Sequence, residues 1–230
     1  MINALLLMAP IAMLVAYISR TGLRITSEGE RDARLWTLGL AALVGSACGP
    51  VAALAGLGGD IQFAAALLGA FLATGALIDR ATGWAPDLIM LPCCILALCL
   101  GGATGSWDIG PLHSIALGLG IYFALNGLWM GIAVRAPAII LLPPADILAL
   151  ALPVMIFGIT MPLAACMVVI SAILILCLVF PTFGNLFRGE GVAEEVLAEA
   201  GSEASADKTV TFLAVGFPVI ALSLCASFVM

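Results

Sequence analysis

Residues 61–78 read IQFAAALLGAFLATGALI, a run of eighteen residues without a charged side chain. A run of this length is enough for one α-helix to cross the hydrocarbon core of a bilayer. Its apolar residues do not alternate with polar ones, which favours a helix over a strand of a membrane barrel. The composition agrees, since 63% of the 230 residues are hydrophobic and 10% are charged, whereas soluble domains have roughly 45–50% and about 25%.

Seven further apolar runs accompany this one, which gives about eight predicted spans. They cover residues 2–19, 36–56, 88–106, 112–134, 146–159, 161–181 and 209–229. The run 146–159 is short for a complete crossing and contains Pro153, so seven spans remain an alternative. We therefore predict an all-α, polytopic transmembrane bundle that forms a single integral-membrane domain over residues 1–230.

The basic residues predict the orientation of the bundle. There are eight of them in the chain, and all fall on one side of the membrane if the N-terminus lies outside. They are Arg20, Arg24, Arg31, Arg34, Arg80, Arg135, Arg188 and Lys208. Cytoplasmic loops are enriched in Lys and Arg, so this side is expected to be cytoplasmic. Two cytoplasmic loops are predicted there, residues 20–35 and the acidic segment 182–208, which is a solvated linker or a partner contact.

Several classes of function are disfavoured by composition. A net charge of −6 without a basic stripe argues against nucleic-acid binding. Seven cysteines, most of them within apolar runs, do not indicate a disulfide scaffold. His113 is the single histidine, so we expect no metal site and no cofactor. A small-solute transporter stays open as a minor alternative, although the spans contain few polar residues, of which Asn126 is the clearest.

Two acidic residues are predicted to reach the cytoplasmic face from different helices. Asp79 ends the third span and Asp146 begins the sixth. Ionisable residues in membrane spans are costly, which makes both of them functional candidates. Two neighbouring carboxyls can share one proton, so that one activates water while the other polarises a carbonyl group. The structural alternative is that Asp79 pairs with Arg80 and that Asp146 caps the sixth span.

The sequence around Asp79 resembles the first active-site motif of bacterial type IV prepilin peptidases. Residues 76–87 read ALIDRATGWAPD, in which an Asp closes a span and a short polar loop follows. Pro86 lies seven residues after Asp79, which is the family spacing, and Asp87 stands where the family usually has Asn. Proline is well accommodated in the first turn of the helix that follows.

The second motif of that family, Gly-x-Gly-Asp before a leucine-rich helix, is matched less closely at Asp146. Pro143 and Ala145 replace the two glycines, and Leu148 replaces the usual Lys. Glycines at such positions permit a sharp bend or a close approach of the backbone. A second interpretation therefore stays open, a catalytically degenerate relative that acts as a membrane assembly or scaffold subunit of a pilus or secretion system.

The resemblance extends over roughly residues 60–229. The chain has no Cys-x-x-Cys pair, so it resembles the short, peptidase-only form of the family that is associated with tight-adherence (Flp-type) pili. It implies an aspartic endopeptidase of the bacterial inner membrane that cleaves the leader of prepilin-like precursors at the cytoplasmic face. The implied catalytic residues are Asp79 and Asp146. Substrate-binding or tuning roles are implied for Arg80, Pro86 and Asp87. The implied partners are the precursor protein, the lipid bilayer and the pilus or secretion machinery.

Overall fold

A computed structural model describes residues 2–26, 35–82, 87–104 and 111–135, together with five single residues between 148 and 156. Within these ranges every regular element is an α-helix, as the sequence predicts. The helices are α1 (Ile2–Thr26), α2 (Leu35–Gly45), α3 (Cys48–Leu54), α4 (Gly59–Thr82), α5 (Asp87–Ala103) and α6 (Pro111–Arg135).

Three stretches of the described residues are long and apolar enough to cross a membrane. They are Leu5–Gly22, Leu35–Leu54 and Gly59–Asp79. Two shorter apolar stretches, Leu88–Ala103 and Ile115–Ala124, lie in α5 and α6. The first five predicted spans therefore coincide with helices, and the protein has the helix lengths and hydropathy of a membrane protein.

The remaining sequence predictions meet the structure only in part. The predicted spans 161–181 and 209–229, and the loop 182–208 between them, lie outside the described residues. The predicted span 146–159 is represented by the five single residues, all of them helical. Helix α1 continues to Thr26, so the first seven residues of the predicted loop 20–35 are helical.

Helix α4 is the centre of the described bundle, because α1, α2, α3 and α5 all pack against it. In the most apolar 18 residues of its span, 72% are buried within the protein, compared with 33% for the α1 span and 39% for the α2–α3 span. The peripheral helices instead present large apolar side chains outwards, such as Leu6 and Trp36. This arrangement is typical of a bundle whose outer helices face lipid.

The second predicted span is divided into α2 and α3, and Pro50 explains the break. Proline has no N–H to donate, and its ring clashes with the carbonyl group four residues earlier, here that of Ser46. The chain tightens locally, with the Gly49 N–H donating to the Ser46 carbonyl oxygen at 3.0 Å. The Ser46 hydroxyl donates to the carbonyl oxygen of Leu43 at 2.7 Å. The span is therefore interrupted at Ser46–Ala47 without losing its transmembrane length.

Helix α3 ends in a Schellman motif that turns the chain towards α4. The Leu57 N–H donates to the Ala52 carbonyl oxygen at 3.1 Å, and the Gly56 N–H donates to the Ala53 carbonyl oxygen at 3.1 Å. Gly56 has φ of 76°, the left-handed conformation that this motif requires and that glycine adopts without a steric penalty.

Small residues allow α2 and α3 to lie close against α4. A Cβ atom on Gly45 would meet the carbonyl oxygen of Gly69. A Cβ on Gly49 would lie 2.8 Å from both the Gln62 carbonyl oxygen and the Ala66 Cβ. Gly45 and Gly49 are four residues apart, the small-xxx-small spacing by which membrane helices approach each other.

Candidate functional site

Asp79 is fully buried, with 0% of its surface exposed, in the last turn of the central helix. The other buried polar residues among those described are Ser19, Ser46 and Thr74, all of them hydroxyl side chains. A hydroxyl can be satisfied by a carbonyl group of its own helix, but a carboxyl group is far more costly to remove from water. Asp79 is therefore the described residue whose position most strongly calls for a function.

The Asp79 side chain continues a buried stripe along one face of α4. Ile61, Ala65, Leu68 and Leu72 precede it at spacings of four, three, four and seven residues, and each of them is at most 8% exposed. At 3.6 residues per turn, these positions share one face of the helix. The other faces of the second half of α4 are enclosed as well, because every residue from 68 to 76 is buried, so Asp79 lies in the interior of the protein.

Two contacts place the ends of three helices at the same end of the bundle. The Ser19 hydroxyl of α1 donates to the Thr74 hydroxyl oxygen of α4 at 3.4 Å. A Cβ on Gly22, one turn further along α1, would lie 2.5 Å from Cδ2 of Leu88 at the start of α5. The ends of α1 and α4 and the beginning of α5 therefore lie together. We call this the Asp79 end.

The other predicted site residues are described less completely. Arg80 is in α4 and Asp87 is the first residue of α5, at the Asp79 end, but their side chains lie outside the described residues. Pro86 and Asp146 also lie outside the described residues. The expected proximity of Asp79 and Asp146 therefore stays a prediction.

The residues that follow Asp146 pack into the same core as α4. The described residues here occur at helical spacing and form one face of a helix. They are Leu148, Ala151, Leu152, Met155 and Ile156. The last four are at most 4% exposed and belong to the same hydrophobic cluster as Leu72 and Ile78 of α4. Leu148 is half-buried and packs against this cluster.

Asp60 is far from the site, as the sequence predicts. It lies in the first turn of α4 and is exposed, nineteen residues before Asp79. This separation along one helix is about 28 Å, so the two carboxyls lie at opposite ends of the bundle. Asp108 lies outside the described residues. His113 is exposed near the start of α6, and no three His, Cys, Asp or Glu residues in the described part of the chain are grouped to hold a metal.

The buried hydroxyl pair of Ser19 and Thr74 is a feature that the sequence prediction missed. The Thr74 hydroxyl accepts from Ser19 and shares its own proton between the carbonyl oxygens of Ala70 and Phe71, each at 3.0 Å. The sequence could have indicated Thr74, because it is a polar residue within an apolar run. Nothing in the sequence indicates that Thr74 contacts Ser19. The pair links α1 to α4 about one and a half turns from Asp79.

Comparison of the chain with protein-family models, with curated proteins and with solved structures finds no match in any of the three. The class of protein is defined here by the fold and the site alone. It is an all-helical protein, over the residues described, with helices long enough to span a membrane and a fully buried acidic residue at one end of its central helix.

Proposed function

We propose that this protein is an integral-membrane aspartic endopeptidase that removes the leader of type IV prepilin-like precursors. The observation that carries the proposal is the full burial of Asp79 in the last turn of the central apolar helix. Such a carboxyl lowers the stability of a membrane bundle and is normally retained for function. The surrounding sequence, residues 76–87, has the spacing of the first peptidase motif.

The proposed topology has about eight spans with the N-terminus outside. This topology places all eight basic residues on the cytoplasmic side of the bacterial inner membrane. The Asp79 end of the bundle then faces the cytoplasm. A prepilin-like precursor has a charged leader ahead of an apolar helix. Its helix would stay in the bilayer while the leader junction lies at the interface, beside Asp79.

Asp146 is the proposed second member of a catalytic pair. It precedes Leu148 by two residues, and Leu148 packs against the cluster that contains Ile78, the neighbour of Asp79 in sequence. The buried residues that follow Leu148 belong to the same cluster. The helix that follows Asp146 therefore packs into the same core as α4, and the short distance between the two acidic residues is part of the proposal.

The proposed reaction uses one ionised and one protonated carboxyl. The carboxylate takes a proton from water while the water oxygen attacks the carbonyl carbon of the scissile peptide bond. The carboxylic acid donates its proton to the carbonyl oxygen, which gives a tetrahedral diol. When the C–N bond breaks, the leaving nitrogen receives the proton held by the first carboxyl, and the second carboxyl takes back its own. Which aspartate plays each part is a property of the pair, because the two groups titrate together.

Three neighbouring residues are proposed to bind or tune the substrate. Pro86 would fix the start of α5, and Arg80 and Asp87 would place charges of opposite sign on either side of the loop between α4 and α5. The leader of a precursor is basic, so Asp87 is suited to attract it. No metal or organic cofactor takes part in this scheme.

The test is co-expression with a prepilin-like precursor. Asp79→Asn and Asp146→Asn should each abolish cleavage while the protein still inserts into the membrane. Asp60→Asn is the matched control, because it removes an exposed carboxyl from the opposite end of α4. It should cleave like the wild type. Full cleavage by either site variant would remove that residue from the mechanism.

A second candidate function is a degenerate, non-catalytic relative that serves the assembly of a pilus or secretion system. Pro143 and Ala145 favour it, because they replace the two glycines of the second motif. In that case the wild-type protein leaves the precursor uncut, yet deletion of the protein still prevents assembly. Assembly that survives Asp79→Asn would add to the case for a scaffold.

A further inference from the structure

Helix α5 presents an apolar face outwards, and this face begins at the Asp79 end. Four exposed residues follow one another at spacings of three, four and four residues, which places them on one side of the helix. They are Leu88, Leu91, Ile95 and Cys99. The opposite side of α5 is buried in the core, as at Cys93 and Ala97, each 0% exposed. We call the exposed side the α5 face. It is about 16 Å long, roughly half the thickness of the hydrocarbon core.

The α5 face starts level with Asp79. Helices α4 and α5 pack against each other, and the connection between them is short, since α4 ends at Thr82 and α5 begins at Asp87. Neighbouring helices joined in this way run antiparallel. Asp79 is three residues before the end of α4 and Leu88 is one residue after the start of α5, so the two lie at a similar depth. A polypeptide that lies along the α5 face would therefore have one end beside Asp79.

Pro92 gives the α5 face a backbone acceptor near this depth. A proline inside a helix has no N–H, so it cannot donate to the carbonyl oxygen four residues earlier, here that of Leu88. A carbonyl group that has lost its helical donor is costly in hydrocarbon, because lipid tails have no hydrogen-bond donor. A polypeptide has such donors wherever its own helix is unwound. The α5 face therefore suits the unwound end of a polypeptide better than it suits lipid tails alone.

The charge at the start of α5 fits a polypeptide with a basic end. Asp87 is the first residue of α5 and precedes the α5 face. The proposed precursor has a basic leader ahead of an apolar helix. When this helix lies parallel to α5, its leader is level with Asp87 and its apolar residues lie along Leu91 and Ile95. Opposite charges across an interface attract and fix the register of the two partners.

We propose that the α5 face binds the apolar helix of the precursor, an inference that rests on the proposed peptidase function. The precursor helix packs against Leu91 and Ile95 through the close van der Waals contact that joins helices in membranes. Its unwound N-terminal end donates a backbone N–H to the Leu88 carbonyl oxygen. Unwinding also releases the carbonyl group of the scissile bond from its helical hydrogen bond, so that the bond is open to attack beside Asp79.

Binding is tested by photo-crosslinking of the full-length protein in membranes. Asp79→Asn keeps the precursor uncut, and a benzoyl-phenylalanine in place of Leu91 should give an adduct with the precursor. Leu40 of α2 is the matched control, because it is 67% exposed and Leu91 is 64% exposed. Helix α2 begins at Leu35 and also runs antiparallel to α4, so both positions lie four or five residues from the Asp79 end of their helices. The adduct from Leu40 should be much weaker.

The backbone contact is tested by cleavage kinetics in the protein with Asp79 intact. Pro92→Ala supplies an N–H to the Leu88 carbonyl oxygen and should lower kcat/KM by about 2–10-fold, the equivalent of one hydrogen bond. Its melting temperature should not fall, because a helical hydrogen bond is gained. Pro10→Ala is the matched control, because Pro10 also lies inside a helix, about 14 Å before Ser19 in α1 and further from the Asp79 end. It should cleave like the wild type.

The outcomes separate this inference from the proposed function. If the wild type cleaves and the adducts from Leu91 and Leu40 are equal, the α5 face is not the binding surface, while the peptidase proposal stands. An adduct of Leu91 with a second copy of the chain, or with lipid alone, would equally overturn the inference. Wild-type kcat/KM for Pro92→Ala would overturn the contact with the Leu88 carbonyl oxygen. A strong precursor adduct from Leu91 without cleavage by the wild type would support the α5 face and overturn the peptidase proposal.

Discussion

Gly45 and Gly69 touch through their backbones where α2 crosses α4. A Cβ on either residue would overlap the carbonyl oxygen of the other, and a Cβ on Gly45 would also lie 2.8 Å from the Ala73 Cβ. Lipid supplies no hydrophobic force between helices, so close van der Waals contact of this kind is what holds a membrane bundle together. The contact fixes the position of α4, the helix that carries Asp79.

We expect Gly45→Val to destabilise the protein by at least the ~1–3 kcal/mol typical of overpacking, because backbone atoms cannot rotate away. The control is Gly39→Val in the same helix, where a Cβ meets no atom within 4 Å. Thermal unfolding in detergent should show a large loss for Gly45→Val and almost none for Gly39→Val. Equal melting temperatures for the two variants would contradict the close crossing of α2 and α4.

The hydroxyl pair should contribute a small coupling energy between α1 and α4. A double-mutant cycle of Ser19→Ala and Thr74→Val is expected to give at most about 0.6 kcal/mol, the average for hydrogen bonds between membrane helices, because the 3.4 Å contact is long. Thr21 is the control, because its hydroxyl is exposed and donates to the Tyr17 carbonyl oxygen of its own helix. A cycle of Thr21→Ala with Thr74→Val should show no coupling. Coupling of the same size in both cycles would count against the Ser19–Thr74 bond.

Gly56→Ala should destabilise the end of α3. The left-handed conformation at φ of 76° costs a residue with a Cβ about 1–2 kcal/mol. Gly59→Ala is the control, because Gly59 begins α4, has no positive φ and has open space around it. Chemical denaturation in detergent should separate the two variants by about that amount. A neutral Gly56→Ala would argue against the Schellman motif.

Asp79→Asn is expected to leave the protein as stable as the wild type or more stable. A buried carboxyl kept for catalysis is a cost to the fold, and a neutral side chain of the same shape reduces that cost. Leu72→Ala is the comparison on the same face of α4, and it should cost about 2–5 kcal/mol. Thermal unfolding in detergent, run beside the cleavage assay, measures both effects. A loss for Asp79→Asn as large as that of Leu72→Ala would favour a structural role.

The sequence predicts the helices well because their lengths are set by the bilayer. The run 61–78 became α4 over residues 59–82, and the run 112–134 became α6 over residues 111–135. A membrane helix needs about 20 apolar residues and satisfies its backbone groups internally, so local sequence is enough to locate it. The break at Ser46–Ala47 was not predicted, although Pro50 was a visible signal for it.

The sequence also identified Asp79 as an acidic residue at the end of a span, but not how deeply it is buried. Burial depends on which helix is central, and almost every span in this chain is apolar on all sides. Hydropathy therefore does not distinguish an inner helix from an outer one. Only contacts between residues distant in sequence, such as Gly45 with Gly69 and Ser19 with Thr74, decide that α4 lies in the middle and that its terminal carboxyl is enclosed by protein.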